Sequence, residues 1–144
     1  MFQRILVPTD GSETTARAVA TAVALAKSLG AEIHTLCVKE TFPFGAVAEL
    51  QPAPPQEFYD AQDSLATQHV QAVADACAAV GVVCHAETTD GVQPWEAIVA
   101  HAEAKGCDLL VMGSHGRSGL AALLLGSETQ DVLSHTTVPV LVVR

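Results

Sequence analysis

Between residues 113 and 129 the chain reads Gly-Ser-His-Gly-Arg-Ser-Gly-Leu-Ala-Ala-Leu-Leu-Leu-Gly-Ser-Glu-Thr, a G-x2-G-x9-G-S skeleton placed directly after the apolar run Leu109-Leu110-Val111-Met112. The run has the length and composition of a buried strand, and the segment after the skeleton opens like a helix. A glycine-rich turn between the two suits an anion. Glycine accepts backbone dihedrals closed to other residues and carries no Cβ, so successive N–H groups can face one concavity. Ser127 and Gln130 have the S-x-x-Q spacing of a capping box, which would aim the positive end of a helix dipole at the same place. The alternative is architectural: Gly113 and Gly126 as plain turn residues, and Ser127 as a cap alone.

The remaining chain alternates strand and helix patterns. Arg4 to Pro8 is a β-rich apolar run closed by the turn and cap residues Thr9-Asp10-Gly11-Ser12. From Glu13 onward Ala16, Val19, Ala20, Val23 and Ala26 recur at helical spacing, and Gly30 supplies the stop. Ala31 to Val38 reads as a second strand, with His34 as a core-edge or surface histidine. Residues 40–57 carry Pro43, Pro52, Pro54 and Pro55, too many for a helix or an internal strand. They read as a flexible loop longer than the ~12–15 residues usual in a compact domain. Phe42 and Phe44 make it either a flap over a bound base or a surface excursion.

Phe58 to Val80 places Ala66, Val70, Val73, Cys77 and Val80 on one helical stripe, ended by Gly81. Val82 to Glu87 reads as a third strand. Pro94 stands at a first helical position ahead of Trp95, Ile98, Val99 and Ala102. Asp108 to Met112 is a fourth strand, Thr129 to His135 a fourth helix and Val138 to Val143 a fifth strand. Such alternation implies one α/β domain over residues 1–144, with a mostly parallel sheet covered by helices on both faces.

Composition excludes several function classes. The net charge is -9 and only 7 residues are Lys or Arg, which disfavours a nucleic-acid or anionic-membrane surface. Arg117 is the one Lys or Arg between Gly106 and Val143, so a phosphate site there must rely on backbone N–H groups, one guanidinium and a divalent ion rather than on a cationic clamp. Apolar runs fall short of the ~18–20 residues that cross a bilayer. No basic start with a long apolar region is visible, so a cytoplasmic protein is expected. Cys37, Cys77, Cys84 and Cys107 form no C-x-x-C pair and read as buried small hydrophobes. His69, His85, His101 and His135 show no paired metal-ligand spacing and read as surface or packing residues.

The glycine skeleton, together with Arg4-Ile-Leu-Val-Pro-Thr-Asp-Gly-Ser-Glu, Asp108-Leu-Leu-Val-Met-Gly-Ser-His-Gly-Arg-Ser-Gly and Val138-Pro-Val-Leu-Val-Val, resembles the ATP-binding branch of the universal stress protein family over essentially the whole chain. The resemblance implies a Rossmann-like, adenine nucleotide α-hydrolase-like fold: a single open parallel five-stranded sheet in the order 3-2-1-4-5. The first and fourth strands are then neighbours where the winding reverses, and ligands of such sheets sit at that crevice. The resemblance also implies ATP, with or without Mg2+, as the ligand, and a homodimer paired through Val138 to Val143.

The loops at Pro8 to Ser12 and Gly113 to Gly119 would converge there. Pro8, Thr9 and Val38 match positions that contact adenine and its sugar in the family, and Met112 suits the edge of an apolar base pocket. Asp10 can accept from ribose hydroxyls or hold a magnesium-bound water, or serve only to cap the first helix. Gly113, Gly116 and Gly126 would cradle phosphates, with Ser114, His115, Arg117, Ser118, Gly119, Ser127 and Thr129 lining the path. Leu120, Leu123, Leu124 and Leu125 would pin the loop to the core. Glu128 departs from the small or apolar residue common in the family. Its carboxylate would repel a triphosphate, complement the helix dipole or help hold a metal.

Three functions follow in order. The first is a regulatory ATP-binding module of the stress response. The second is a slow ATPase or nucleotidyl-transfer enzyme, for which only Asp10, His115 or Glu128 offers a water-positioning group, and no Walker sequence is present. The third is a structural dimer that binds no nucleotide.

Overall fold

The computed structural model describes residues 1–41, 54–115 and 125–144. The Phe42 and Phe44 flap, the turn residues Gly116, Arg117, Ser118 and Gly119, and the anchoring role of Leu120, Leu123 and Leu124 therefore lie outside the described residues.

Five strands form one parallel sheet: β1 (Arg4–Pro8), β2 (Glu32–Glu40), β3 (Cys84–Gly91), β4 (Leu109–Gly113) and β5 (Val140–Val143), in the order β3-β2-β1-β4-β5. The described helices are α1 (Glu13–Leu29), α2 (Gln56–Ala78), α3 (Pro94–Ala104) and α4 (Ser127–His135). The expected architecture and strand order are those observed.

β1 is the centre of the sheet because it can be buried on both faces. Ile5, Leu6 and Val7 are each 0% exposed, and strand alternation sends Ile5 and Val7 to one face and Leu6 to the other. Ile5 and Val7 join Ala18, Ala22, Ile33, Val73 and Val111 in the core under α1 and α2. Leu6 joins Leu36, Ile98, Leu110, Met112 and Val132 in the core under α3 and α4. Each fully buried aliphatic side chain of this kind contributes about 1.5–3 kcal/mol relative to exposure.

The helix boundaries follow local chemistry. The Ser12 side chain accepts from the Thr15 N–H at the start of α1, and Gly30 ends the helix in the left-handed region at φ 69, a conformation that costs a residue with a Cβ about 1 kcal/mol or more. Pro94 occupies the first turn of α3, where its missing N–H is no loss.

Several expected boundaries shift. β2 runs two residues past Val38, and β3 begins at Cys84 and runs to Gly91, because the β2–β3 ladder continues in register from Ile33↔Cys84 to Glu40↔Gly91. The polar tail Thr88-Thr89-Asp90 is tolerated because β3 is an edge strand with alternate residues in solvent. Val82 lies in the turn between α2 and β3: its N–H donates to the Cys77 carbonyl at 2.9 Å and its side chain packs in the α1–α2 core. β5 begins at Val140 rather than Val138. Among the described residues no helix is long and apolar enough to cross a membrane.

Candidate functional site

The neighbours β1 and β4, paired through Ile5↔Leu109 and Leu6↔Leu110, stand where the winding of the sheet reverses. Their carboxyl ends open into a cleft of about 310 Å³. From the β1 end come Pro8, Thr9 and Asp10, and from β2 Val38, all four expected. Met112, Gly113 and His115 enter from β4 and the turn after it, and Gly126, Ser127, Glu128 and Thr129 from the start of α4. Ser114 is buried and does not line the cleft.

Five lining residues escaped the sequence reading: Thr15, Leu36, Glu40, Pro94 and Ile98. Leu36 and Ile98 carried periodicity signals that read only as core, and they form the apolar wall beside Met112. Pro94 was read as a helix start, which says nothing of the space in front of it. No sequence pattern points to Thr15 or Glu40.

The β1–α1 turn is built around Asp10. Its Oδ1 accepts from the Ser12 N–H at 2.9 Å and from the Thr15 hydroxyl at 2.7 Å. Ser12, rather than Asp10, is the cap of α1, so Asp10 holds the cap in place while lining the cleft. Thr9 is fixed by its N–H, which donates to the Leu36 carbonyl at 2.9 Å across the sheet.

At the start of the turn after β4, the Gly113 and Ser114 carbonyls are satisfied inside the protein. The Thr129 hydroxyl donates to the Gly113 carbonyl at 2.8 Å, and the Gly126 N–H donates to the Ser114 carbonyl at 2.6 Å. The Ser114 N–H in turn donates to the Val143 carbonyl of β5 at 2.8 Å. His115 is fixed between the Ser114 hydroxyl, 3.0 Å from Nδ1, and the Thr14 hydroxyl, 3.5 Å from Nε2.

Two expectations are corrected here. Ser127 and Gln130 do not form a capping box. Gly126 is the cap, Ser127 is already helical, and the Gln130 side chain donates to the Leu125 carbonyl at 2.6 Å. With glycine as the cap, no side-chain cap bond engages the first N–H groups of α4 among the described residues.

Nor do Gly113 and Gly126 serve by unusual dihedrals. Among the described glycines positive φ occurs at Gly11, Gly30, Gly81 and Gly106 only. A Cβ on Gly113 would lie 2.8 Å from Thr14 Cγ2, and one on Gly126 would lie 2.9 Å from His115 Cα. These glycines permit close approach of α1 and of the two ends of the turn, and the cleft takes its shape from that approach.

Glu128 turns its carboxyl toward the start of α3, where it is hydrogen-bonded by backbone at Trp95. Its Oε1 is buried and has no hydrogen-bond partner among the described residues. Burial pushes the carboxyl above its usual range, and the nearby charges of Asp131 and Glu40 push the same way.

A family model described as the Universal stress protein family matches residues 1–144. The universal stress protein MJ0531 of Methanocaldococcus jannaschii is 36% identical over 145 residues, which span 100% of this chain and 83% of that protein. Among solved structures, that of hypothetical protein MJ0577 superposes with a TM-score of 0.84 at 32% identity, covering 99% of this chain and 96% of the other. A universal stress protein solved in complex with cAMP superposes with a TM-score of 0.68 at 26% identity, covering 99% of this chain and 97% of the other. Fold, site position and these likenesses agree, and the chain belongs to the universal stress protein family.

Proposed function

We propose that this chain is an adenine-nucleotide-binding module, with ATP as its ligand, and that its nucleotide state regulates partners in a stress response. The carrying observation is the convergence at one cleft of the β1 turn and the α4 amino terminus, the latter left without a side-chain cap. The base has an apolar wall in Val38, Leu36, Ile98 and Met112. The polyphosphate has the first-turn N–H groups of α4 and the positive end of its dipole. A related protein solved with cAMP supports the adenine assignment.

The residues present fit a divalent ion. Asp10 and Glu128 both line the cleft, and the buried Oε1 of Glu128 has no hydrogen-bond partner among the described residues. Asp10 would hold Mg2+ directly or through water, and the ion would neutralise phosphate charge that this acidic chain has few cations to meet.

Catalysis ranks below binding. Asp10 and His115, the nearest candidates to position water, are both engaged in bonds that build the turns. The deciding experiment is mass spectrometry of the nucleotide carried through native purification, followed by a phosphate-release assay. Co-purified ATP without release supports the binder, and steady release makes the chain an ATPase.

The edge strand β5 offers Val140–Val143 with Leu141 39% exposed, an apolar edge that pairing with a second copy would cover. A cytoplasmic homodimer joined through this strand completes the proposal.

A further inference from the structure

A second polar cluster lies on β2 away from the cleft. Alternation sends Glu32, His34, Leu36 and Val38 to one face, and while Leu36 and Val38 reach the cleft, Glu32 and His34 stand toward the start of the strand. Register pairing sets His85 of β3 beside His34, and the two rings stack with centroids 4.6 Å apart and planes 26° from parallel. The Glu32 carboxylate faces both rings: Oε1 is 3.1 Å from His34 Nε2 and Oε2 is 3.6 Å from His85 Nε2. One donor atom from each residue lies within 4.8 Å of the other two.

Of the two ring nitrogens of His34, Nε2 faces Glu32, and a metal held there leaves Nδ1 as it stands. The His34 side chain is only 8% exposed, yet its Nδ1 has no hydrogen-bond partner among the described residues. A buried polar atom left unmet costs about 1–3 kcal/mol, and an apolar side chain would fill the space without that cost.

We propose that Glu32, His34 and His85 form a binding site for a divalent transition metal ion of the Zn2+ type, with water completing the coordination on the exposed side of His85. Two imidazoles and one carboxylate plus solvent is the ligand composition of an open zinc site. Bonds of ~2.0–2.1 Å in a tetrahedron set neighbouring ligand atoms about 3.3–3.5 Å apart. The two Glu32 contacts run to different carboxylate oxygens and the rings are stacked, so binding requires the half-exposed His85 ring to turn out of the stack toward the oxygen that faces His34.

The Arg4 guanidinium, with Nε 3.3 Å from Glu32 Oε1, both orients this carboxylate and competes for it. Imidazole donors select Zn2+, Ni2+ or Cu2+ over Mg2+, so this site and a magnesium-nucleotide cleft would not share an ion.

The test is calorimetric titration of the untagged, chelator-treated, nucleotide-free full chain with ZnCl2, with Co2+ visible absorption as a second readout of tetrahedral coordination. The expected result is one Zn2+ per chain at micromolar affinity or tighter, no competition by millimolar Mg2+, and a loss of at least tenfold in both His85→Ala and Glu32→Gln with unchanged circular dichroism. His85 is half exposed, so its removal leaves the core intact. Nucleotide affinity should be unaltered in His85→Ala, which separates this site from the cleft. The proposal is overturned if stoichiometric binding is absent, if both substitutions leave it unchanged, or if Cys84→Ser abolishes it instead.

Discussion

Gly126 and His115 stand back to back: the space a Gly126 side chain would need is already taken by His115 Cα, 2.9 Å from where the Cβ would lie. The third glycine of the skeleton is thus required by the folding of the turn on itself. Gly113 stands in the same relation to Thr14, whose Cγ2 would be 2.8 Å from the added carbon. Gly113→Val and Gly126→Val should each cost about 1–3 kcal/mol through overpacking, lowering Tm by roughly 5–10 °C. Both should abolish ATP binding because the turn moves. Thermal melts beside calorimetric titration check this, and unchanged Tm with lost binding would mean that the glycines meet the ligand only.

Asp10 allows its two roles to be separated. Asp10→Asn retains an oxygen that can accept from Ser12 and Thr15, whereas Asp10→Ala removes it. We expect Asp10→Ala to lower stability by about 0.5–2 kcal/mol and Asp10→Asn to lower it by much less. Both should weaken Mg2+-ATP binding at least tenfold. Equal nucleotide affinity in wild type and Asp10→Asn would confine Asp10 to the turn.

Glu128 should make the protein less stable as the pH rises. Its carboxyl is raised above its ordinary value chiefly by burial, so the stabilisation of the neutral form is complete below about pH 4.5 and is lost as pH climbs through the raised value. Glu128→Gln keeps the shape and removes the charge. Its Tm should exceed that of wild type by about 2–4 °C at pH 7.5, with the gap closing toward pH 4.5. A constant Tm gap across the range would refute the ionisation argument.

Burial also silences the thiols. Cys84 is pushed up to about 12 and Cys107 to about 11. At pH 8 a thiol at about 12 holds roughly one thiolate in 10,000, although Cys84 is itself partly exposed. Iodoacetamide should label Cys84 at least 100-fold more slowly in the native chain than in urea, with a rate rising about tenfold per pH unit. A native rate like that of an unfolded thiol would contradict it.

The edge of β5 gives a last check. A dimer paired through β5, as proposed, should become a monomer by light scattering at micromolar concentration in Leu141→Lys with the fold retained. A wild-type monomer under the same conditions would remove the dimer from the proposal.

Most of the sheet was legible because burial leaves periodic marks: the β-rich apolar run Arg4 to Pro8 reads as a strand, and Gly30 and Pro94 punctuate helices for backbone reasons. Edges were less legible. β3 continues through Thr88-Thr89-Asp90 because β2 supplies the ladder, a fact of pairing that no local pattern records. The cleft was visible through its glycines and Asp10, but the reason for the glycines was misread, since a clash with Thr14 or His115 depends on contacts distant in sequence. Glu32, His34 and His85 fell outside any linear metal spacing because register, and not separation along the chain, brings them together.

β1 gives side chains to both hydrophobic layers at once, so neither layer can come apart while the other stays closed. The chain should melt in a single cooperative step, and a nucleotide anchored at the tip of that strand should raise the melting temperature of the whole molecule in proportion to the logarithm of its concentration.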